Sequence, residues 1–492
     1  MAINIRRNNR IVPPIICLLT FCLLWQLLDL NAAQVLKAKQ ASSAAKQASS
    51  AAKPAPSKQH PTDPTWPQGQ TPGSDSGTTT TTTTANLTSD DVLLILKTGG
   101  TVLWRRLPIH LSTTFAPERI GANNTVIYAD VDAQIGRHAV IDVLASFPTA
   151  LREKSPAFET YREIRDWHAA NHYLEQTGLP GDVSTTEGPS GGWRLDKYKF
   201  LPLMQRAGRD FAQAKWYIYT EDDTYLFLPN VLRYLSRYDH TRPHYLGGLG
   251  EMLGVTFAHG GSGFALSRGA WEQSFGKGGD LVSKYATFVT ESSFGDYALG
   301  KVLNDYGVQL GDEVTNDRKE GGAWGFNGLP HWKNEFSAEN WCKPVLSWHH
   351  VHSRDIAMYY ELEKSWNFEK TLTYGDFYKH AIAPTLTKRK SWWDNMSRRH
   401  HLTPQSVVTA EIPKDVRDSS SWKESWKSDK LCEAACTEWK SCVQWYYYQY
   451  ECKLDDRFWL GFGYPETSRY RKEKLESISG WLPDRINSWT CT

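Results

Sequence analysis

Three consecutive carboxylates, Glu221, Asp222 and Asp223, close the run Lys215-Trp216-Tyr217-Ile218-Tyr219-Thr220. Adjacent acids repel unless positive charge lies among them, and a hard divalent cation carrying phosphate oxygens is the usual partner of such oxygen ligands. Downstream, Leu346-Ser347-Trp348-His349-His350-Val351-His352 offers three imidazoles on a strand-like segment. Alternation along a strand points His350 one way and His349 with Val351 the other. Imidazole and carboxylate together suit a first-row metal. Between these motifs, Gly260-Gly261-Ser262-Gly263 precedes a short strand. Glycine there either makes a tight turn or lets backbone approach a ligand. Asp296, in Gly295-Asp296-Tyr297-Ala298-Leu299-Gly300, opens a helix. By itself it reads as a helix cap, which needs no further function.

The elements that position these groups alternate between strand and helix. Asp91 to Lys97 reads as a buried strand ending in Thr98-Gly99-Gly100, and Leu103, Leu107 and Leu111 mark a helix. Thr125 to Asp130 is a second strand, again ending on a carboxylate. An amphipathic stretch runs near Tyr161 to Leu174, and a helix spans Trp193 to Ala214. The acidic strand end follows, with Pro229 in the first turn of the next helix. This order predicts an α/β fold with a mostly parallel sheet, whose ligands bind at the carboxyl ends of the strands. Neither GxxxxGK[ST] nor GxGxxG follows the first strand, so the common backbone cradles for phosphate are missing and a metal is needed instead.

At 492 residues the chain has room for two or three domains. A net charge of +2 argues against a nucleic-acid partner. Arg6, Arg7 and Arg10 precede an apolar run from Ile11 to Leu28, ~18 residues, which just spans a bilayer. Basic residues before the span put residues 1–10 in the cytosol and the rest in the lumen. A cleaved signal peptide ending near Asn31-Ala32-Ala33 is the competing reading, and the length of the run favours an anchor over 11–30. Residues 31–90, rich in Ala, Ser, Thr and Pro, read as a disordered stem. Sequons at Asn86, Asn123 and Asn395 agree with a lumenal face. Cys17 and Cys22 lie in the apolar run, and six further cysteines form an even set. They lack a CxxC pair and nearby histidines, so disulfides are expected rather than zinc.

In order and spacing, W-Y-I-Y-T-E-D-D-T-Y-L-F-L-P-N, H-G-G-S-G-F-A-L-S-R, G-D-Y-A-L-G and S-W-H-H-V resemble the fringe-like β1,3-glycosyltransferase superfamily, glycosyltransferase family 31. The nearest branch is the core 1 β1,3-galactosyltransferases. The resemblance covers roughly residues 91 to 360. It implies a GT-A fold over 91–385, a type II Golgi membrane topology, a UDP-sugar donor, a glycan or glycoprotein acceptor, Mn²⁺, and inversion at the anomeric carbon. Position by position, Glu221, Asp223 and His349 match metal ligands, with His350 and His352 as substitutes for the histidine. Asp296 matches the base. Asp222 belongs to the matched acidic region, and Gly260, Gly261 and Gly263 match the segment that lines the sugar pocket. By their chemistry, Asp130 is a candidate for holding the uridine or ribose and Arg194 and Lys197 for phosphate contact, and Lys97 is a further candidate for the nucleotide-sugar. Glu221 stands where the family commonly has aspartate. Within this resemblance the alternatives are a fringe-type UDP-GlcNAc donor and a non-catalytic lectin or adaptor.

Beyond an expected linker at 386–417, Cys432-x3-Cys436-x5-Cys442-x9-Cys452-Lys453-Leu454 resembles a PAN/apple module over 418–492. That resemblance implies a nested pairing of Cys432 with Cys452 and Cys436 with Cys442. Cys342 and Cys491 are then left to join the module to the α/β region.

Overall fold

The computed structural model describes residues 87–170, 192–311, 325–408 and 411–491. These lie within one compact unit. The central sheet has seven strands in the order β3-β4-β2-β1-β5-β10-β7. They are β1 (Val92–Lys97), β2 (Thr125–Ala129), β3 (Ala133–Ile135), β4 (His138–Asp142), β5 (Trp216–Glu221), β7 (Tyr245–Gly247) and β10 (Phe264–Ser267). β4, β2, β1 and β5 run parallel, and β10 pairs antiparallel to β5 and to β7. This mixed α/β sheet with a parallel centre is consistent with a GT-A fold.

All six residues of β1 are buried, as expected for a strand covered on both faces. Alternation then divides the apolar side chains between two cores. Leu93, Ile95, Tyr217 and Tyr219 pack under helices Gly192–Asp210 and Gly295–Asp305. Val92, Leu94, Leu96 and Ile218 pack against helices Leu103–Ser112 and Leu228–Leu235. Between β7 and β10, β8 (Leu249–Met252) and β9 (Val255–Ala258) form a hairpin that leads into the glycine turn.

Among the described residues, two further sheets have three or more strands. A small one, β11-β12-β6, joins β11 (Phe326–Asn327), β12 (Ser347–His349) and β6 (Thr224–Leu226). The other is a five-stranded sheet, β13-β19-β16-β17-β15, comprising β13 (Arg389–Ser391), β15 (His400–Leu402), β16 (Gln444–Tyr448), β17 (Glu451–Asp455) and β19 (Ile478–Trp481). Helix Asp429–Glu438 packs on it, around Cys432–Cys452 and Cys436–Cys442. Cys342–Cys491 ties it to the segment before β12. All three pairs are those expected.

The segment 386–417 is not a linker. It supplies β13 and β15 to the C-terminal sheet, and β14 (Trp393–Asp394) to a ribbon with β18 (Phe462–Gly463). The Asn395 sequon also needs correction. Its side chain is fully buried, and its amide donates to the carbonyls of Trp445 and Gly480. Asn123 is exposed, and Asn86 lies outside the described residues. So do the expected anchor and nearly all of the stem. Among the described residues no helix is long and apolar enough to cross a membrane.

Candidate active site

β5 ends at Glu221, and the chain reverses through Asp222-Asp223 into β6. β12 pairs antiparallel with β6, placing His349 opposite Thr224 and beside the acidic turn. The pairing continues as Val351 N–H donates to the Asp223 carbonyl at 3.0 Å. His349 Nε2 lies 3.3 Å from Asp223 Oδ1, and His350 Nδ1 lies 3.6 Å from Asp223 Oδ2. The two imidazoles stack with centroids 3.7 Å apart.

Alternation separates neighbouring side chains, yet His349 and His350 converge. The reason is the backbone of His350, which leaves β12 at φ 56° in the left-handed region and turns its ring back toward the acid. One ligand atom each from Asp223, His349 and His350 falls within 4.8 Å of the others. Asp223 Oδ1 is buried and accepts no aligned hydrogen bond despite the nearby Nε2. A buried orphan oxygen among two imidazoles fits a divalent first-row ion. Burial pushes the Asp223 carboxyl up. The two histidines and Arg106 more than offset it and hold the group well below the usual carboxylate range. Burial likewise pushes His349 down, and Asp223 with Glu221 raises it overall.

Glu221 and His352 do not join this cluster. Glu221 Oε1 lies 3.0 Å from Lys97 Nζ and accepts the Tyr219 hydroxyl at 2.9 Å. Lys97 is itself shared with Asp196 at 2.5 Å, so it is committed to carboxylates inside the protein. His352 turns away to cap helix Ser353–Lys364, and its ring stacks on Trp332 at 5.7 Å.

Asp222 is an anchor of the turn. Oδ1 accepts from Arg106 at 2.9 Å, Oδ2 accepts from Thr98 Oγ1 at 2.6 Å, and its carbonyl accepts from His110 Nε2 at 2.9 Å. Arg106 also lies 3.4 Å from Asp223 Oδ2.

Across the glycine turn stands Asp296. Its Oδ2 accepts the Gly260 N–H and its Oδ1 accepts the Tyr297 N–H, both at 2.8 Å. Burial raises its pKa, backbone donors and His259 oppose this, and the Glu221 charge adds to the rise. The net direction is upward, whereas a helix N-terminus alone predicts the reverse. The turn's glycines have distinct reasons. Gly263 has φ +77°. A Cβ on Gly260 would meet Phe200 at 2.8 Å and Glu221 Oε1 at 3.2 Å, and one on Gly261 would lie 2.1 Å from the His349 ring. The space that Gly261 leaves is therefore filled by the imidazole.

The remaining expected binding residues are placed elsewhere. Asp130 is fully buried, paired with Lys199 at 2.8 Å and accepting the Gly100 N–H at 2.6 Å. Lys197 Nζ donates to the carbonyls of Thr290 and Ser292. Arg194 is exposed on the first turn of its helix. Conversely, Arg106 and His259 were not singled out from sequence. His259 packs edge-on to His349 at 5.6 Å and bonds Ser262 Oγ at 2.9 Å. Its place directly before the glycines was the available signal. Arg106 meets residues more than a hundred positions away, and no local pattern marks it.

Residues 87–311 match the Fringe-like family model. The Fringe-like region takes in the central sheet, the acidic turn, the glycine turn and Asp296, and it ends before the His349-His350 pair. It agrees with the superfamily resemblance carried by the motifs, and it suggests a glycosyltransferase.

Proposed function

We propose that the α/β region is a metal-dependent inverting glycosyltransferase. It moves a hexose, galactose in the first instance, from a UDP-sugar to a hydroxyl of a glycan or glycoprotein, forming a β1,3 bond. The observation that carries this reading is the pairing of two chemically different centres at the carboxyl ends of the parallel strands. Asp223, His349 and His350 form one, and the buried carboxylate of Asp296 across the glycine turn forms the other. The Fringe-like match over 87–311 supports it.

When bound, a divalent ion, Mn²⁺ in this reading, supplies Lewis acidity that spreads the negative charge of the diphosphate leaving group. Asp223, His349 and His350 would hold it. Asp296 takes the proton of the acceptor hydroxyl as that oxygen bonds to the anomeric carbon and the sugar–phosphate bond breaks, its electron pair leaving with UDP. The raised pKa of Asp296 brings it nearer the operating pH, where a base is most effective. General-base help of this kind is worth ~10²–10⁴-fold in rate. The Lys97 and Arg106 pairs keep the acidic turn from splaying under its own charge.

We extend the reading to a type II anchor over 11–30 with the described region lumenal, and to a PAN/apple-like C-terminal module. A UDP-GlcNAc donor is the second reading within the same chemistry, and the donor panel below separates the two. The test is UDP release and sugar transfer by the purified protein with a panel of UDP-sugars and glycan acceptors, with Mn²⁺ and with chelator. Transfer that ignores chelation sinks the metal centre. Asp296→Asn should abolish transfer while UDP affinity stays near wild type, and a loss of UDP binding instead would remove Asp296 from the base role.

A further inference from the structure

The segment that carries His349 and His350 is gripped from outside the α/β region. Phe336 and Phe458 exchange backbone hydrogen bonds, both at 2.8 Å, and Gly461 N–H donates to the Trp332 carbonyl at 2.7 Å. Arg457 Nη1 meets Glu335 Oε2 at 2.9 Å, and Cys342 is bonded to Cys491. Every one of these contacts falls on residues 332–342, the segment that delivers β12.

Side chains carry the grip to the histidines by two routes. The Phe458 ring packs edge-on to Phe336 at 5.7 Å, and Phe336 packs on Trp348 at 6.1 Å. Trp348 directly precedes His349. On the other side, Trp332 stacks on His352, the cap of the helix that follows His350. The module thus reaches both flanks of a pair whose second member holds a left-handed backbone. Such a conformation persists only where its surroundings over-determine it.

We propose that the C-terminal module is a positioning element of the metal centre, acting chiefly through Phe458 on Phe336 and Trp348. Without that grip, His349 and His350 no longer converge on Asp223. The inference rests on the reading of Asp223, His349 and His350 as metal ligands.

The experiment uses the full chain in detergent and Mn²⁺ as the probe, following the free ion by electron paramagnetic resonance. Amide exchange over 332–352 and circular dichroism are recorded in parallel. Phe458→Ala and the double variant Cys342→Ser/Cys491→Ser should each weaken Mn²⁺ binding at least ~10-fold, the range for supporting groups around metal ligands. Exchange over 347–352 should rise while the secondary structure is kept. Arg389→Ala breaks an ion pair with Asp429 elsewhere in the same module and should stay within twofold of wild type. Should Phe458→Ala not fold, Phe458→Leu and the cysteine pair decide in the same way. Mn²⁺ affinity within twofold of wild type in both seam variants overturns the proposal, as does equal weakening by Arg389→Ala. A wild-type chain that binds no Mn²⁺ overturns the metal reading instead.

Discussion

Replacing Gly261 with alanine should break up the proposed metal centre while leaving the fold in place. Gly261 does not have a positive φ; in its turn that demand falls on Gly263. What forbids a side chain is the His349 imidazole. The new Cβ would stand 2.1 Å from Cε1, 2.4 Å from Nε2 and 2.5 Å from Nδ1, where ordinary contact begins at 3.4 Å. The ring must therefore retreat by 3.4 − 2.1 = 1.3 Å. Metal–ligand distances tolerate about ±0.2 Å, so Nε2 leaves the site. A loss of roughly 100-fold in Mn²⁺ affinity follows, at the upper end of what disturbed ligand support costs. Stability should fall by only about 1–3 kcal/mol, as for other overpacked sites. Mn²⁺ titration and transfer rate against Mn²⁺ concentration give the affinity, and urea unfolding gives the stability. A cycle with His349→Ala isolates the cause, because Gly261→Ala should add almost nothing once the ring is gone. Wild-type Mn²⁺ affinity in Gly261→Ala, or an undiminished loss in the His349→Ala background, would falsify the reasoning.

Two further predictions concern the support around the site. Glu363 is buried with Arg119 at 3.1 Å and accepts the Tyr225 hydroxyl at 2.6 Å, fixing β6 from behind. Glu363→Ala strands a buried guanidinium and should cost about 3–5 kcal/mol in urea unfolding. Converting both Glu363 and Arg119 to Met should cost much less. His331 is buried against Tyr359, at 2.5 Å from Nδ1 to the hydroxyl, and burial followed by the Arg354 charge lowers its pKa to about 3. The unfolded chain takes up this proton below its ordinary pKa of 6.5 and the folded chain does not. Stability is thus whole above that value and falls on acidification toward about 3. Between pH 6.5 and 5 the share of this group is about 2 kcal/mol. His331→Phe should flatten that limb of the stability–pH curve, and an unchanged slope would assign the titration elsewhere.

The sequence made the fold legible where burial imposes a period. β1 and β5 are apolar runs long enough to read directly, and the helices after them show their apolar stripes. The 386–417 segment was unreadable for the opposite reason. Its strands are two or three residues long, with mixed burial, and they exist because β17, β18 and β19 offer partners. At the site, Asp223, His349 and Asp296 were visible as residue types in a known order. The place of Glu221 was not, since its partner Lys97 lies on the neighbouring strand in register with it. Convergence of His349 with His350 was hidden because alternation assumes extended backbone, and one left-handed residue breaks it. The internal partners of Asp130 and Lys197, a lysine on the helix Gly192–Asp210 and the carbonyls of Thr290 and Ser292, were hidden because they lie far along the chain.

The Cys342–Cys491 bond joins residues 149 positions apart, and this sets an order of events during biosynthesis. At about 5–20 residues per second, roughly 7–30 s separate the emergence of Cys342 from that of its partner. Throughout that interval the apolar face around Trp341 and Trp348 has no cover from Trp481, Ile486 and Trp489. A chain interrupted anywhere in its last tenth would keep the parallel strands of its central sheet yet expose this face to chaperones. Cellular quality control would then discard the protein for damage far along the chain from the acidic turn and Asp296.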